Sequence, residues 1–528
     1  MSYNAPGVYV EEVDRGSVPI QGVSMSTAGF LGPTERGPVE PQLVTSFSDY
    51  RRIYGGFDQY DSDGRLKGSY LAYAVAGFFD NGGQRAFIGR IIDEGQVGES
   101  SAIADADLKD DSDDPVIDID ANSPGVWGEN VIVVVDEASR SSEQFSLTVY
   151  YWVDADDVPG GEADSDDLSD YDAEAIEEQG ADVVEFHDNL TDDSNSSDFF
   201  ETKVNAASDL IELSPDESND GMPAYDSPQI VSLDGAVDVD DIDSFDEFDY
   251  EGNDEKGAKS GLAAFEEISE ISMVIAPDEA GDDDLAATIE EHCSDTRLQD
   301  RVAILQAKRD FDISDPETPV NSSYATFYFP WVEVRDPVSG RLIPVPPAGH
   351  VAGIYARTDS NYGVHKAPAN QVVRGVRGLD TTITKAEQAG LNPKGVNCIR
   401  SFSGRGIRVW GARTTAADPT WQYVNVRRLF IFLRESIDNG TQWAVFEPND
   451  EDLWARVRQT IRGFLRDVWE DGALMGETPD EAFFVTCDRT TMTQNDIENG
   501  RLICEIGVAP VRPAEFVIFR ISQWDGED

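Results

Sequence analysis

The sequence predicts a multidomain chain of mixed α+β and α/β architecture that carries an inserted, acidic, β-rich domain. Three observations predict it. The chain has 528 residues, enough for three to four domains at about 150 residues each. Residues 261–356 alternate short apolar runs with helical patterns, which argues for an α/β layer with at least partly parallel strands. The charge is uneven: the net charge is −63, and residues 101–260 hold 48 acidic and 5 basic residues, about two thirds of the excess.

A uniform charge of that size would repel itself and oppose compaction or assembly at ordinary salt. At about 1 M salt the screening length falls to roughly 3 Å and most of the repulsion disappears. Lysine is also scarce, 9 residues beside 31 arginines. An acidic, lysine-poor surface is expected of a protein in a salt-loaded cytoplasm. The alternative is one half-disordered acidic insertion in an ordinary protein, but that region still contains strand-like runs.

In chain order, residues 1–14 (MSYNAPGVYVEEVD) read as a short strand on a flexible arm, with Val8, Val10 and Val13 near a period of two. A frayed terminus is the alternative. Residues 24–32 suit a buried strand. Residues 45–54 suit a short helix capped by a serine, and residues 69–81 a helix stopped by Gly82 and Gly83. Residues 86–92 (AFIGRII) follow as a strand. Ile88 fits the same sheet as the later α/β strands, which makes the acidic region an insertion into that sheet. Inside the insertion the strand candidates are 131–136 and 145–153. Runs such as DADDVPGGEADSDD have little apolar content to bury and read as surface loops. After it come a helix at 261–270, a strand at 271–276, a helix at 284–293 and a strand at 301–306. Two further apolar runs follow, at 325–334 and 350–356.

Residues 397–523 are dense in aromatics and arginine and contain no lysine. Residues 450–470 form the clearest helix. Leu453, Trp454, Val457, Ile461, Phe464, Leu465, Val468 and Trp469 share one stripe of period 3.6. Asn449 or Asp450 can cap it. Arg458, Arg462 and Arg466 fall four apart on another face. That face is either merely solvated or a docking surface for an acidic partner. Residues 503–508 and 515–522 are strand candidates. The second puts Phe516, Ile518 and Arg520 on one side and Val517, Phe519 and Ile521 on the other. Apolar on both faces, it needs cover on both. On a connector stiffened by Pro510 and Pro513, it either reaches a neighbouring subunit or pairs within its own sheet.

No enzyme chemistry is signalled. No catalytic, cofactor-binding or metal-ligating residue is identified. Cys293, Cys398, Cys487 and Cys504 stand apart, without a C-x-x-C pair. His292 beside Cys293 has no partner signal. GAKSGL at 257–262 is not a phosphate loop, and GRG at 404–406 lacks the third glycine of a dinucleotide loop. DSDG at 61–64 lacks calcium-loop ligands at Gln59 and Tyr70. The chain is too acidic to hold nucleic acid by charge. No run of about 18 apolar residues exists, and residues 1–16 lack the features of a signal peptide.

Several segments carry a specific resemblance. They are PGVYVEEV, FLGPTERGP, TSFSDYRRIYGG, SYLAYAVAGFFDNGGQRAFIGRI, PGVWGENVIVV, YFPWVEVRDP, VPPAGHVAGIYARTD, HKAPAN, LNPKGVNCIRSFSGRGIRVWGARTT, VNVRRLFIFLRESI, WAVFEPND and GVAPVRPAEFVIFRI. The chain resembles the tail sheath proteins of contractile-tailed phages and related contractile injection systems, here from an extreme halophile. The match thins across residues 154–180 and 214–256. The resemblance implies a structural subunit and no enzyme. It implies hexameric rings stacked helically around an inner tube, with partners in the tube, baseplate and tail terminator proteins. Contraction would drive the tube through a target envelope on the energy difference between two packings. The implied domains are a strand arm at 1–22, a first part of the inner and middle domains at 23–95, and the acidic outer insertion at 96–260. After these come a middle α/β domain at 261–396, an inner domain at 397–505 and a strand arm at 506–528. Val8, Tyr9, Val10, Glu11 and Glu12, with Phe516, Val517, Ile518, Phe519 and Ile521, are then the strand-exchange residues. Arg458, Arg462 and Arg466 are then tube-facing. A cell-encoded injection particle is the alternative to a virus tail, and the rival from another class is an acidic halophilic α/β enzyme, which would need a nucleotide loop or a clustered site.

Overall fold

The computed structural model describes residues 19–57, 69–93, 103–141, 143–160, 168, 171–216, 219, 221–225, 228–236, 245, 247–254 and 259–520. They fall into two compact units. One draws on Met1–Met25, Thr358–Ala367 and Tyr423–Asp528, the other on Ser26–Arg357 and Pro368–Gln422.

The larger unit is built on a nine-stranded sheet. From edge to edge its strands are Gln371–Val372, Gly406–Val409, Val396–Phe402, Ala325–Phe329, Val302–Gln306, Met273–Ile275, Ala28–Gly32, Ala86–Arg90 and Gln42–Val44. The strands from Val396–Phe402 to Ala86–Arg90 all run parallel to their neighbours, and antiparallel strands close both edges. Helices cover a parallel sheet on both faces, so its strands read as continuous apolar runs. Ala28, Phe30, Leu31, Val274, Ala303, Ile304, Phe329 and Val396 are all buried.

Ala86–Arg90 and Met273–Ile275 flank Ala28–Gly32 on opposite sides. Everything between them in sequence is therefore inserted into one sheet. Among the described residues the insertion holds two antiparallel sheets. One orders Gln229–Ser232, Val131–Glu137, Phe145–Tyr151 and Val183–Leu190; the other orders Asp105–Lys109, Pro115–Ala121 and Ile211–Pro215. Their inner faces share one core containing Ile117, Ile119, Val131, Val133, Val135, Leu147 and Val149. Ile132 and Val134 pack on the other face with Tyr150, Trp152 and Ile176. Cover on both faces explains the unbroken run VIVVV. The insertion is fastened by buried polar contacts. Arg90 donates from Nη1 to the Gly37 carbonyl at 2.8 Å and from Nη2 to the Pro124 carbonyl at 2.9 Å. The Tyr151 hydroxyl donates to Glu35 at 2.6 Å, and the Arg36 guanidinium lies 4.8 Å from the Tyr151 ring centroid.

Several expected helices form with the expected caps. Phe47–Tyr54 starts at Ser46, whose hydroxyl accepts from the Asp49 amide. Leu71–Asn81 ends at Gly82 in the left-handed region. Two apolar runs take other forms. Residues 325–334 split into Ala325–Phe329 in the large sheet and Val332–Arg335 in a separate sheet with Leu342–Val345 and Gly378–Leu379. Residues 350–356 lie within the helix Ala348–Tyr362. Its Gly349 and Gly353 approach the Leu71–Asn81 helix so closely that a Cβ would sit 2.2 Å from the Ala74 carbonyl oxygen and 2.3 Å from that of Phe78.

The smaller unit pairs the helices Val424–Thr441 and Glu451–Glu470, with Phe432 and Phe464 ring centroids 5.9 Å apart. Asp450 caps the second helix, its side chain accepting from the Leu453 amide. Its expected stripe is buried except for Trp469, which is half-buried and donates to the Gly476 carbonyl at 3.0 Å. Arg428 ties the unit's segments together. It grips Asp359 with Nη1–Oδ1 at 2.9 Å and Nη2–Oδ2 at 2.6 Å, and donates to the Met25 carbonyl at 2.6 Å. The division between units falls at Tyr423 rather than Asn397. Val396–Phe402 pairs with Ala325–Phe329, which holds Asn397 in the large sheet.

Candidate assembly surface

The strand Glu505–Val508 pairs antiparallel with Phe483–Thr486 and, among the described residues, forms a sheet of two strands. A lone pair of strands is marginal in water. One face is buried through Phe483 and Val485, while Phe484 on the other face is 56% exposed. The chain then runs on under firm control. The Ala509 amide donates to the Ala482 carbonyl at 2.8 Å, the Val511 amide to the Ala473 carbonyl at 3.1 Å, and Asn425 Nδ2 to the Val511 carbonyl at 3.2 Å. The Tyr423 hydroxyl meets Glu515 at 3.3 Å.

Beyond Glu515 the side chains lose cover. Phe516, Val517, Ile518 and Phe519 are 73%, 67%, 78% and 84% exposed. The expected strand at 515–522 is absent from the described part, residues 515–520. Extended chain becomes a strand only where another edge takes up its amides and carbonyls, and none does so among the described residues. Ile521 lies outside the described residues, as do Val8, Tyr9, Val10, Glu11 and Glu12.

The three arginines of the long helix do not form one free stripe. Arg458 turns toward the hairpin and donates from Nη1 to the Cys487 carbonyl at 2.8 Å. Arg462 pairs with Asp480 at 3.2 Å and Arg466 with Glu470 at 2.9 Å, both at the surface. Exposed pairs of this kind contribute about 0–1 kcal/mol, so Arg462 and Arg466 stay available to a partner. Arg462→Glu with Arg466→Glu should shift thermal stability by no more than about 1 kcal/mol, while reducing any binding to an acidic partner surface. Unchanged coating of purified inner tubes would make this a solvated face.

The structure brings together two cysteines that the sequence left apart. Cys487 follows Phe483–Thr486 and Cys504 precedes Glu505–Val508, one step past the Thr486–Glu505 pair. The neighbouring Cys487 thiol pushes the Cys504 thiol up. Register alone makes them neighbours, and register was not readable from spacing. Elsewhere, burial beside Arg301 pushes His292 down to about 3, and burial pushes His350 down to about 4. Both imidazoles are therefore neutral at pH 7. A cavity of about 280 Å³ opens beyond the ends of Met273–Ile275 and Val302–Gln306, lined by Glu279, Asp282, Asp283, Asp312, Asp315 and Glu317. The Glu279 carboxylate is already committed to the Gln306 amides. Among the described residues no group of three or more side chains could hold a metal ion, and no helix is long and apolar enough to cross a membrane.

A sequence model of the phage tail sheath central domain matches residues 251–415, and one of the phage tail sheath C-terminal domain matches residues 416–523. Together they span just over half of the chain. The chain belongs to the phage tail sheath family. Among its sheath relatives, a putative prophage major tail sheath protein of Pseudomonas aeruginosa (strain UCBPP-PA14) is 26% identical over 201 residues, 37% of this chain and 50% of the relative. The tail sheath protein of Burkholderia phage BcepMu is 32% identical over 158 residues, 28% of this chain and 33% of the relative. The chain thus spans half or less of the length of these curated sheath proteins. Solved sheath structures match its fold over greater length. The contracted sheath of the extracellular contractile injection system PVC aligns with TM-score 0.57 and 21% identity over 99% of both chains. The sheath tail protein Lin1278 from Listeria innocua aligns with TM-score 0.59 and 11% identity over 93% of this chain and 96% of that one.

Proposed function

We propose that this sheath-family chain is the structural subunit of a contractile sheath. It polymerises as stacked hexameric rings around an inner tube and contracts to drive that tube through a target envelope. The observation that carries this reading is the uncovered apolar segment Phe516–Phe519, in a unit whose Phe483–Thr486/Glu505–Val508 sheet has two strands among the described residues. Added to a neighbour's sheet, such a segment satisfies its backbone and buries its side chains together. Strand exchange also keeps subunits connected while their bodies move. Residues 8–12 are the matching arm at the other chain end. In this reading the domain built from the chain ends forms the inner wall, and Arg462 and Arg466 face the tube, while Arg458 is held by the Cys487 carbonyl. The acidic insertion lies on the exterior. The other partners are baseplate and tail terminator proteins, and assembly takes place in the host cytoplasm.

A second reading, the sheath of a cell-encoded injection particle, is favoured by one observation. The anti-feeding prophage sheath in its contracted state aligns over 99% of this chain and 100% of its own, with TM-score 0.56 and 22% identity. Capsid and terminase genes beside this gene would decide for a virus, and their absence beside tube and baseplate genes for a particle.

Electron microscopy of the purified chain tests the sheath reading. At about 3 M salt, where screening is nearly complete, hollow helical tubes are expected. At about 0.1 M salt, where the screening length is near 10 Å, the acidic exteriors should repel and the tubes disperse. A chain lacking residues 1–12 should stay folded and form no long tubes. Particles indifferent to salt, or long tubes from the shortened chain, would contradict it.

A further inference from the structure

The Phe483–Thr486/Glu505–Val508 pair of strands ends on two cysteines that stand opposite each other. The Ala509 amide donates to the Ala482 carbonyl at 2.8 Å, which makes Ala482 and Ala509 a hydrogen-bonded pair in the register of Phe483 and Val508. Hydrogen-bonded and non-hydrogen-bonded pairs alternate along an antiparallel ladder. Cys487 and Cys504, one step past Thr486 and Glu505, therefore take a non-hydrogen-bonded position, where Cα atoms lie about 4.5 Å apart. A disulfide accepts Cα separations of about 4.4–6.8 Å, so the register places the two within bonding reach. Both flanks are tied down. The Thr491 hydroxyl bridges the Asp488 and Ile503 carbonyls, 2.9 and 2.8 Å away, and Arg458 Nη1 donates to the Cys487 carbonyl at 2.8 Å. Cys487 is buried and Cys504 partly exposed. A hydrogen bond from the Cys504 thiol pulls the Cys487 thiol down; burial opposes this, and the Arg458 charge adds to it. Cys293 and Cys398 lie in the core of the larger unit, where burial pushes both thiols up. A thiol beside a cation and a second thiol is reactive, and one in apolar surroundings is inert.

We propose that Cys487 and Cys504 form a reversible disulfide that staples these two strands, with a small-molecule disulfide such as oxidised glutathione as the oxidant. The more exposed Cys504 sulfur attacks one glutathione sulfur. The glutathione S–S bond breaks, and one glutathione leaves with the Cys504 proton. Cys487 then attacks the Cys504 sulfur. The bond from Cys504 to glutathione breaks, and the second glutathione leaves with the Cys487 proton. Two protein thiols are oxidised and one glutathione disulfide is reduced to two thiols. A lone pair of strands is marginal in water, and a cross-link that restricts the opened chain keeps the pair formed. A reducing cytoplasm holds the cysteines as thiols, and a more oxidising exterior closes them. The bond needs no second subunit, so its failure leaves the sheath reading untouched.

The test uses the purified full-length chain, reduced, freed of reductant and exposed to oxidised glutathione at about pH 8, near the ordinary thiol range. Thiols are then alkylated under denaturing conditions and mapped by mass spectrometry. Of the four cysteines, Cys293 and Cys398 should remain alkylatable, and the peptides carrying Cys487 and Cys504 should be joined to each other. After closure, the amides of Phe483–Thr486 and Glu505–Val508 should exchange with deuterium at least about 10-fold more slowly, and dithiothreitol should restore the original rate. Four free thiols, glutathione retained on Cys504, a bond from either cysteine to another partner, or unchanged exchange after closure would each overturn the staple.

Discussion

Deleting residues 516–528 is expected to leave a folded chain that does not polymerise. The four described apolar side chains of this segment are mostly exposed, so their removal takes almost nothing from the core of the chain that carries them. In a polymer each would gain roughly 1.5–3 kcal/mol on full burial. Ordering the segment and immobilising a subunit take back much of that sum. A residual loss near 2.7 kcal/mol already raises the threshold concentration about 100-fold. The melting temperature by circular dichroism should stay within about 2 °C, because surface changes away from packed features lie within about 0.5 kcal/mol. Ile518→Pro offers a subtler version, since it keeps an apolar residue and removes one ladder amide. Normal tubes from the truncated chain would refute strand donation at this end.

Replacing Arg428 has the opposite signature, a folding defect that precedes any assembly defect. The Arg428 side chain is buried and the Asp359 side chain nearly so, and they are joined by two charge-assisted bonds. Burial pushes the Asp359 carboxyl up, and Arg428 beside it pulls it down. Arg428→Ala leaves that carboxylate buried without its cation and should cost about 3–5 kcal/mol. The Met25 carbonyl loses its donor as well. Arg428→Met with Asp359→Leu removes both charges and should recover most of the loss, as apolar replacement of buried pairs often does. Chemical denaturation followed by Trp fluorescence reads both variants. Equal stability of Arg428→Ala and the unaltered chain would mean that the pair does not hold the segments of the smaller unit together.

These two sites differ in how far the sequence announced them. The uncovered end was legible because FVIFRI is apolar at both parities, and a strand needing cover on both faces is conspicuous near a chain end. Asp450 and the 451–470 helix were legible for a similar reason: cap, acidic first turn and one apolar stripe agree. The Arg428–Asp359 pair was not legible. It joins residues 69 apart in sequence, and nothing local marks either one. The Val424–Thr441 helix was missed because its buried residues include Val424, Val426, Leu429, Ile431 and Leu433, which do not fall on one narrow stripe. In the acidic insertion, Ile117 and Ile119 alternate with Asp118 and Asp120, so strand periodicity was present under an acidic composition. The 350–356 run shows the limit of short windows. A mostly apolar run of seven residues fits either a buried strand or a buried helix, and glycines packed against Ala74 and Phe78 decide for the helix.

Strand donation by residues 516–519 is the central claim, and a cryo-electron microscopy map of the polymer formed by the purified chain tests it most directly. The account predicts continuous density from Glu515 into a neighbouring subunit, with residues 516–519 hydrogen-bonded along an edge of that subunit's Phe483–Thr486/Glu505–Val508 sheet. Density in which residues 516–519 fold back onto their own subunit, or remain uncovered while the polymer is intact, would contradict it.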